Sequence, residues 1–242
     1  IVYAWDVLNE YIHRSNAAAA TTWVSVYGDM GLKPTYVKAA FKYAYDELKK
    51  QNVQNKVTLF YNDYDTYFSV DDELALISYI NEGEEAKICG GIGMQSHVDI
   101  KRPTLEEYGN ALKAFINAGL EVQITELDIT INFDTDDTDG RTPTYAYKNE
   151  KETDVDQATF TKDFIKQIVD IQKNRDKTIS PKGITGITVW GISDQTSWRG
   201  SCKPLFFTRK TSRIKDETTG KYKKVYTYVP KKSYEAMIEA LK

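Results

Sequence analysis

The chain has 242 residues, a net charge of −3, 41% hydrophobic and 28% charged residues, the balance of an ordinary globular protein with room for one large domain or two small ones. This balance lacks the basic stripe of a nucleic-acid surface, and no apolar run approaches the roughly 20 residues that span a bilayer. Two cysteines, Cys89 and Cys202, are too few for a disulfide framework, and two histidines without HExxH or CxxC spacing offer no metal site, so no cofactor is expected.

In chain order, Ile1–Asn9 is a β-rich run that ends in polar residues and has no basic start or cleavage site of a signal peptide. Thr35–Gln51 reads as a helix and Val57–Tyr61 as a short apolar strand running into Asn62-Asp63-Tyr64. Asp71–Glu82 reads as a helix with Asp71 as N-cap and Gly83 as its stop. Ile88–Met94 is a Gly-rich strand leading to Gln95-Ser96-His97. Pro103–Ala118 is a helix in which Thr104 and Glu107 have capping-box spacing. Glu121–Ile131 is a strand, Asp156–Asn174 an amphipathic helix, Ile184–Ile192 a strand and Lys232–Leu241 a final helix. Thr208–Pro230 has the pattern of a hairpin with a polar tip.

Five strands alternating with five helices imply an α/β protein with a parallel sheet covered by helices. No GxGxxG turn follows any strand, and every strand ends in polar or ionisable residues: Asn9-Glu10, Asn62-Asp63, Gln95 and His97, Glu126 and Asp128, Asp194. A site shared among several strand ends is the signature of a (β/α)₈ TIM barrel. Period-two alternation places Val122, Ile124, Glu126 and Asp128 on one face of their strand, which is then the barrel interior. Two carboxylates on different strands suit glycoside cleavage, where one acid protonates the leaving oxygen and an ionised partner attacks the anomeric carbon. A buried ion pair is the bland alternative for acids on such a face.

Trp5-Asp6-Val7-Leu8-Asn9-Glu10 resembles the acid/base signature of glycoside hydrolase family 10, the endo-β-1,4-xylanases. Tyr61-Asn62-Asp63-Tyr64, Gly91 to His97, Ile124 to Ile129, Thr188 to Asp194 and Ser197-Trp198-Arg199 resemble that family's later strand ends, in family order. The resemblance implies a retaining endo-xylanase with Glu10 as acid/base and Glu126 as nucleophile. It implies that Asn9 meets the sugar hydroxyl beside the reacting carbon, and that His97 bonds the nucleophile while Asp128 orients it. Gln95 would hold the nucleophile region, Trp190 and Trp198 wall the reacting sugar, Asn62 and Tyr64 border the leaving-group side, and Arg199 support the last loop. Residues 1–242 would be the C-terminal portion of one barrel domain, supplying strands 4 to 8. Strands 1–3 would then come from an upstream part or a second chain. The implied partner is xylan or xylo-oligosaccharides, with no nucleic acid or membrane, and the implied location is secreted or cell-surface. A β-glucanase or mannanase of the same clan, or a non-catalytic sugar-binding barrel, are the alternatives.

Further expectations are local. His13 reads as a fringe residue without a role, Trp23 as core, and a Cys89–Cys202 disulfide as geometrically disfavoured. The acid run Asp134–Asp139 reads as a solvated loop, with Ca²⁺ binding as its alternative, and Tyr145 and Tyr147 as sugar-stacking candidates in the long Asn132–Val155 loop.

Overall fold

The computed structural model describes residues 2–14, 23–132 and 151–242. Parallel strands β1 (Ala4–Asn9), β2 (Thr58–Asp63), β3 (Gly91–Met94) and β5 (Glu121–Thr130) pair in that order. The short β4 (His97–Asp99) and β6 (Ile184–Val189) also pair with β5. Helices α2 (Thr35–Lys50), α3 (Val70–Asn81), α4 (Leu105–Asn117) and α5 (Asp154–Asn174) alternate with these strands, and α1 (Trp23–Tyr27) and α6 (Lys232–Ala240) complete the helices described. Among the described residues β1 pairs only with β2 and β6 only with β5, so both edges of the sheet are open.

The chain divides into two compact units. The first comprises Ile1–His97, Pro103–Leu127 and Asp170–Thr188. Its core joins Val37 and Phe41 of α2, Leu76 and Ile80 of α3, and Leu112 and Phe115 of α4 to Ile92, Val122 and Ile124 of the strands, all fully buried. The Thr104–Glu107 capping box is formed: the Thr104 hydroxyl accepts from the Glu107 N–H while the Glu107 carboxylate accepts from the Thr104 N–H. The start of α3 differs from expectation. Its N-cap is Ser69, not Asp71, and the Ser69 hydroxyl is held by the Glu73 carboxylate at 3.2 Å, not by a helix N–H. Asp71 instead sits in the first turn beside Asp72, where negative charge favours the helix dipole. Trp23 is 58% exposed and stacks on Tyr27 and Tyr36, so it is not core.

The second unit comprises Val98–Arg102, Asp128–Val169 and Val189–Lys242. Ile129, Ile131, Phe164, Ile165, Leu205 and Phe206 are among its buried apolar residues. Two single turns of 3-10 helix, Asp194–Thr196 and Gly200–Cys202, lead into β7 (Phe207–Lys215) and β8 (Tyr222–Pro230), an antiparallel hairpin where the turn signals had placed one. A buried ion pair, Lys231 to Asp194 at 3.1 Å, ties the residue after β8 to the first of these turns. Both cysteines are buried free thiols. The Asp134–Asp139 run, Tyr145 and Tyr147 lie outside the described residues.

Candidate active site

The first unit gathers its polar strand ends at one level of the sheet. The Glu10 N–H donates to the Asn62 carbonyl at 2.9 Å, the Gln95 N–H to the Asp63 carbonyl at 2.9 Å, and the Glu126 N–H to the Gln95 carbonyl at 2.9 Å. Four successive strands are thus tied together by backbone bonds just where their functional side chains begin.

The side chains continue this linkage. Asn62 donates to the Glu126 carboxylate at 3.1 Å and to the Asn9 amide oxygen at 2.8 Å, while its own oxygen accepts the Thr125 hydroxyl at 2.6 Å. Gln95 donates to Glu10 at 2.8 Å and to Asn9 at 3.2 Å. His97 Nε2 lies 3.2 Å from the second Glu126 oxygen. Glu10 and Glu126 therefore belong to one hydrogen-bonded set whose middle members, Asn62 and Gln95, are 3% and 2% exposed. Buried amides with several fixed partners hold the two carboxylates in defined rotamers.

Backbone conformation contributes as well. Glu10 has φ +60° and Ser96 φ +64°, a region that side-chain-bearing residues seldom occupy and that concentrates at functional sites. Ser96 is locked by its hydroxyl, which bonds the Met94 carbonyl at 3.0 Å and the Tyr108 hydroxyl at 2.7 Å. That break separates β3 from β4 and turns Gln95 and His97 to their partners. Gly93 has a separate reason to lack a side chain: a Cβ there would run into the Asn62 amide oxygen.

Strict alternation along β5 does not persist to its end. Val122 and Ile124 are fully buried, whereas Gln123 pairs in register with Gly93 and reaches Thr185 on β6 at 3.2 Å. Thr125 and Glu126 are neighbours in sequence, yet both reach Asn62. Glu126 is thus not presented simply by sharing a face with Val122 and Ile124.

Residues that the sequence reading passed over also belong to this region. Asp6 is partly open to solvent, yet loss of water around its carboxyl and, second, the charge of Glu126 push its pKa above the ordinary value. His13 is half-buried, bonds Asp63 Oδ1 through Nδ1 at 2.8 Å and stacks on Tyr64 with ring centroids 3.8 Å apart. Asp63 is fully buried, accepts the Tyr64 N–H at 2.8 Å and the Ile12 N–H at 3.2 Å, and bonds the Tyr61 hydroxyl. The loop after Glu10 is pinned to the end of β2 in this way, and one face of the Tyr64 ring is covered by His13. The sequence signal was present, a histidine three residues after Glu10, but no period or motif linked it to Asp63.

In the second unit, Asp128 is 1% exposed and accepts the Trp198 indole N–H at 2.8 Å. The Arg199 guanidinium lies 3.5 Å from Asp128 and 4.5 Å above the Trp198 ring. Acid and cation together fix an indole that remains 48% exposed, and Trp190 is 47% exposed in the same unit. Aromatic faces held rigid and open to water suit stacking on sugar rings. No group of three His, Cys, Asp or Glu side chains among the described residues is placed to hold a metal ion.

Parallel strands alternating with helices form part of a (β/α)₈ barrel, and the strand ends of the first unit carry two carboxylates joined through buried amides. The family model for glycosyl hydrolase family 10 matches residues 1–229, and the chain belongs to that family. It is 41% identical over 208 residues to endo-1,4-β-xylanase A of Butyrivibrio fibrisolvens, an alignment covering 86% of this chain and 43% of that protein. Among solved structures, it matches a mutant structure in complex with xylotriose at 26% identity and TM-score 0.65, covering 99% of this chain and 63% of that one. It also matches the Clostridium thermocellum N-terminal endo-1,4-β-D-xylanase complexed with xylohexaose, at 26% identity and TM-score 0.63, covering 97% of this chain and 40% of that one. The chain thus spans under two thirds of each of these relatives.

Proposed function

We propose that this chain carries the bond-cleaving machinery of a retaining endo-1,4-β-xylanase, with Glu126 as nucleophile and Glu10 as acid/base. The observation that carries it is the linkage of these two glutamates through Asn9, Asn62 and Gln95. Glu126, held by Asn62 and His97, attacks the anomeric carbon as Glu10 delivers a proton to the departing sugar oxygen. Glu10 then takes a proton from water, which hydrolyses the glycosyl-enzyme ester and restores both groups. Asn9 is bonded to the two amides that hold the carboxylates, and its hydrogen bond to the sugar hydroxyl next to the reacting carbon strengthens as charge develops. Trp190 and Trp198 offer the stacking faces, Asp128 and Arg199 hold Trp198, and Tyr64 borders the leaving-group side.

The remaining strands of the barrel are supplied by protein beyond residues 1–242, either upstream or as a second chain. The open edges at β1 and β6 support this, as do Val2, Tyr3 and Trp5, each about 60% exposed at the β1 edge. Such an edge aggregates unless covered. A secreted or cell-surface location follows if intact polymeric xylan is the substrate.

Product configuration tests the reaction. Proton NMR of early products from xylo-oligosaccharides is expected to show the β-anomer first; initial release of the α-anomer means inversion and removes the nucleophile role. Comparable turnover of carboxymethylcellulose or mannan would replace xylan as the substrate. An active, cooperatively folded monomer of residues 1–242 alone would overturn the shared-barrel reading.

A further inference from the structure

The β7–β8 hairpin is unlike the rest of the chain. Seven of the 32 basic residues and only two of the 35 acids fall within Phe207–Pro230, so the hairpin carries +5 while the rest of the chain carries −8. Both acids sit at the tip, and Asp216 is occupied there, accepting the N–H groups of Thr218 and Thr219 at 2.9 Å.

Register sorts the remainder by face. Residues directly opposite in an antiparallel pair share a face. Tyr222, Lys224, Tyr226 and Tyr228 of β8 therefore project with Lys215, Arg213, Thr211 and Arg209 of β7. The tyrosines are 68%, 47% and 43% exposed. With a rise of about 3.4 Å per residue, Tyr222 and Tyr228 stand about 20 Å apart. The Arg209 guanidinium lies 4.7 Å over one face of the Tyr226 ring, which leaves the other face for a ligand. Arg213, Lys215 and Lys224 have no ion-pair partner among the described residues.

A ribbon selected only for its own stability sets opposite charges across from one another. Here Arg213 lies directly opposite Lys224, an arrangement that costs stability. The cost is recovered if an anion from outside sits between them. The tyrosines supply flat faces for the C–H faces of sugars. We infer that this face is a second glycan-binding surface, specific for the carboxylates of a uronic-acid-substituted xylan chain. Arg213, Lys215 and Lys224 pair with the uronate and the tyrosine row stacks on the backbone sugars. A sparsely charged glycan fits this chain better than a nucleic acid, whose dense phosphates meet repulsion from the −8 elsewhere. The inference rests on the xylanase reading and adds the substrate's decoration to it.

Affinity electrophoresis of the protein in a Glu126→Ala background, which stops hydrolysis, tests it. Gels contain unsubstituted xylan, glucuronic-acid-substituted xylan or single-stranded DNA. The parent is expected to be retarded several-fold more by the acidic xylan than by the unsubstituted one, with added salt removing the difference. Arg213→Glu should abolish that preference although it creates an opposite-charge pair with Lys224 and so keeps or raises the melting temperature. Tyr226→Ala should weaken retardation by both xylans. Equal retardation by the two xylans, an unchanged preference in Arg213→Glu, or stronger retardation by DNA would each overturn the inference. Failure of the underlying reading looks different: the Glu126-intact protein would then not hydrolyse neutral xylo-oligosaccharides at all. Arg213→Glu should leave that neutral activity unchanged.

Discussion

Asn62 donates a side-chain N–H to the Glu126 carboxylate at 3.1 Å while it holds Asn9 at 2.8 Å. One buried amide therefore holds both Glu126, the proposed nucleophile, and Asn9, the residue before the proposed acid/base. Asn62→Ala should lower kcat/KM on xylo-oligosaccharides on the order of 10²-fold, the size expected for loss of one fixed donor at a reacting charge. It also strips the Thr125 hydroxyl of its acceptor, at a cost of about 1–3 kcal/mol. Steady-state kinetics with a denaturant melt separates the two effects; an unchanged kcat/KM contradicts the positioning role.

Gly93 makes room for that amide. Gly93→Ala forces a methyl against the Asn62 oxygen and should displace Asn62 from Glu126, with a loss of kcat approaching 10²-fold for a shift of about 1 Å. Substrate affinity measured in a Glu126→Ala background should change little. A normal kcat in Gly93→Ala means the amide tolerates displacement.

The Lys231–Asp194 pair holds the second unit. Burial pushes Lys231 below and Asp194 above their ordinary values, each opposed by the charge of its partner. Lys231 also donates to the Lys203 carbonyl at 2.7 Å, and Asp194 accepts the Leu205 N–H at 2.8 Å. Removing one partner strands the other, so Lys231→Met should cost about 3–5 kcal/mol by urea unfolding. Pairing it with Asp194→Leu should recover part of that loss. A double variant no better than the single one would show that the backbone bonds, not the charge pair, carry the stability.

Glu73 gives stability a pH dependence. It is fully buried, and desolvation, then the charge of Asp63, raise its pKa well above the ordinary carboxyl value. The folded state keeps this proton to higher pH than the unfolded state does, so stability present below about pH 4.5 declines as pH rises through the folded value. Glu73→Gln, neutral throughout, should melt higher than the wild type at neutral pH and converge with it in acid. Parallel melting curves across the range would contradict this.

Strand order, the Thr104–Glu107 cap, the β7–β8 hairpin and the polar strand ends were legible because each has a local signature: a period, a spacing, a turn. The pairing of Asn62 with Glu126 was not, since it joins residues 64 apart and depends on Gly93 being small. The helix start at Ser69 was hidden because the Glu73 carboxylate takes the hydroxyl that would otherwise cap. Alternation misled at Glu126, where Thr125 and Glu126 both turn to one amide. His13 and Asp6 acquire significance only through neighbours, Asp63 and Glu126, that no sequence window contains.

The identity of the nucleophile is the claim on which the rest depends. Inactivation with a 2-deoxy-2-fluoro-β-xylobioside bearing a good leaving group, followed by peptide mass spectrometry, reads it directly. One stoichiometric glycosyl adduct is expected on Glu126, absent in Glu126→Ala. An adduct on Glu10, or continued turnover with no adduct formed, would contradict it.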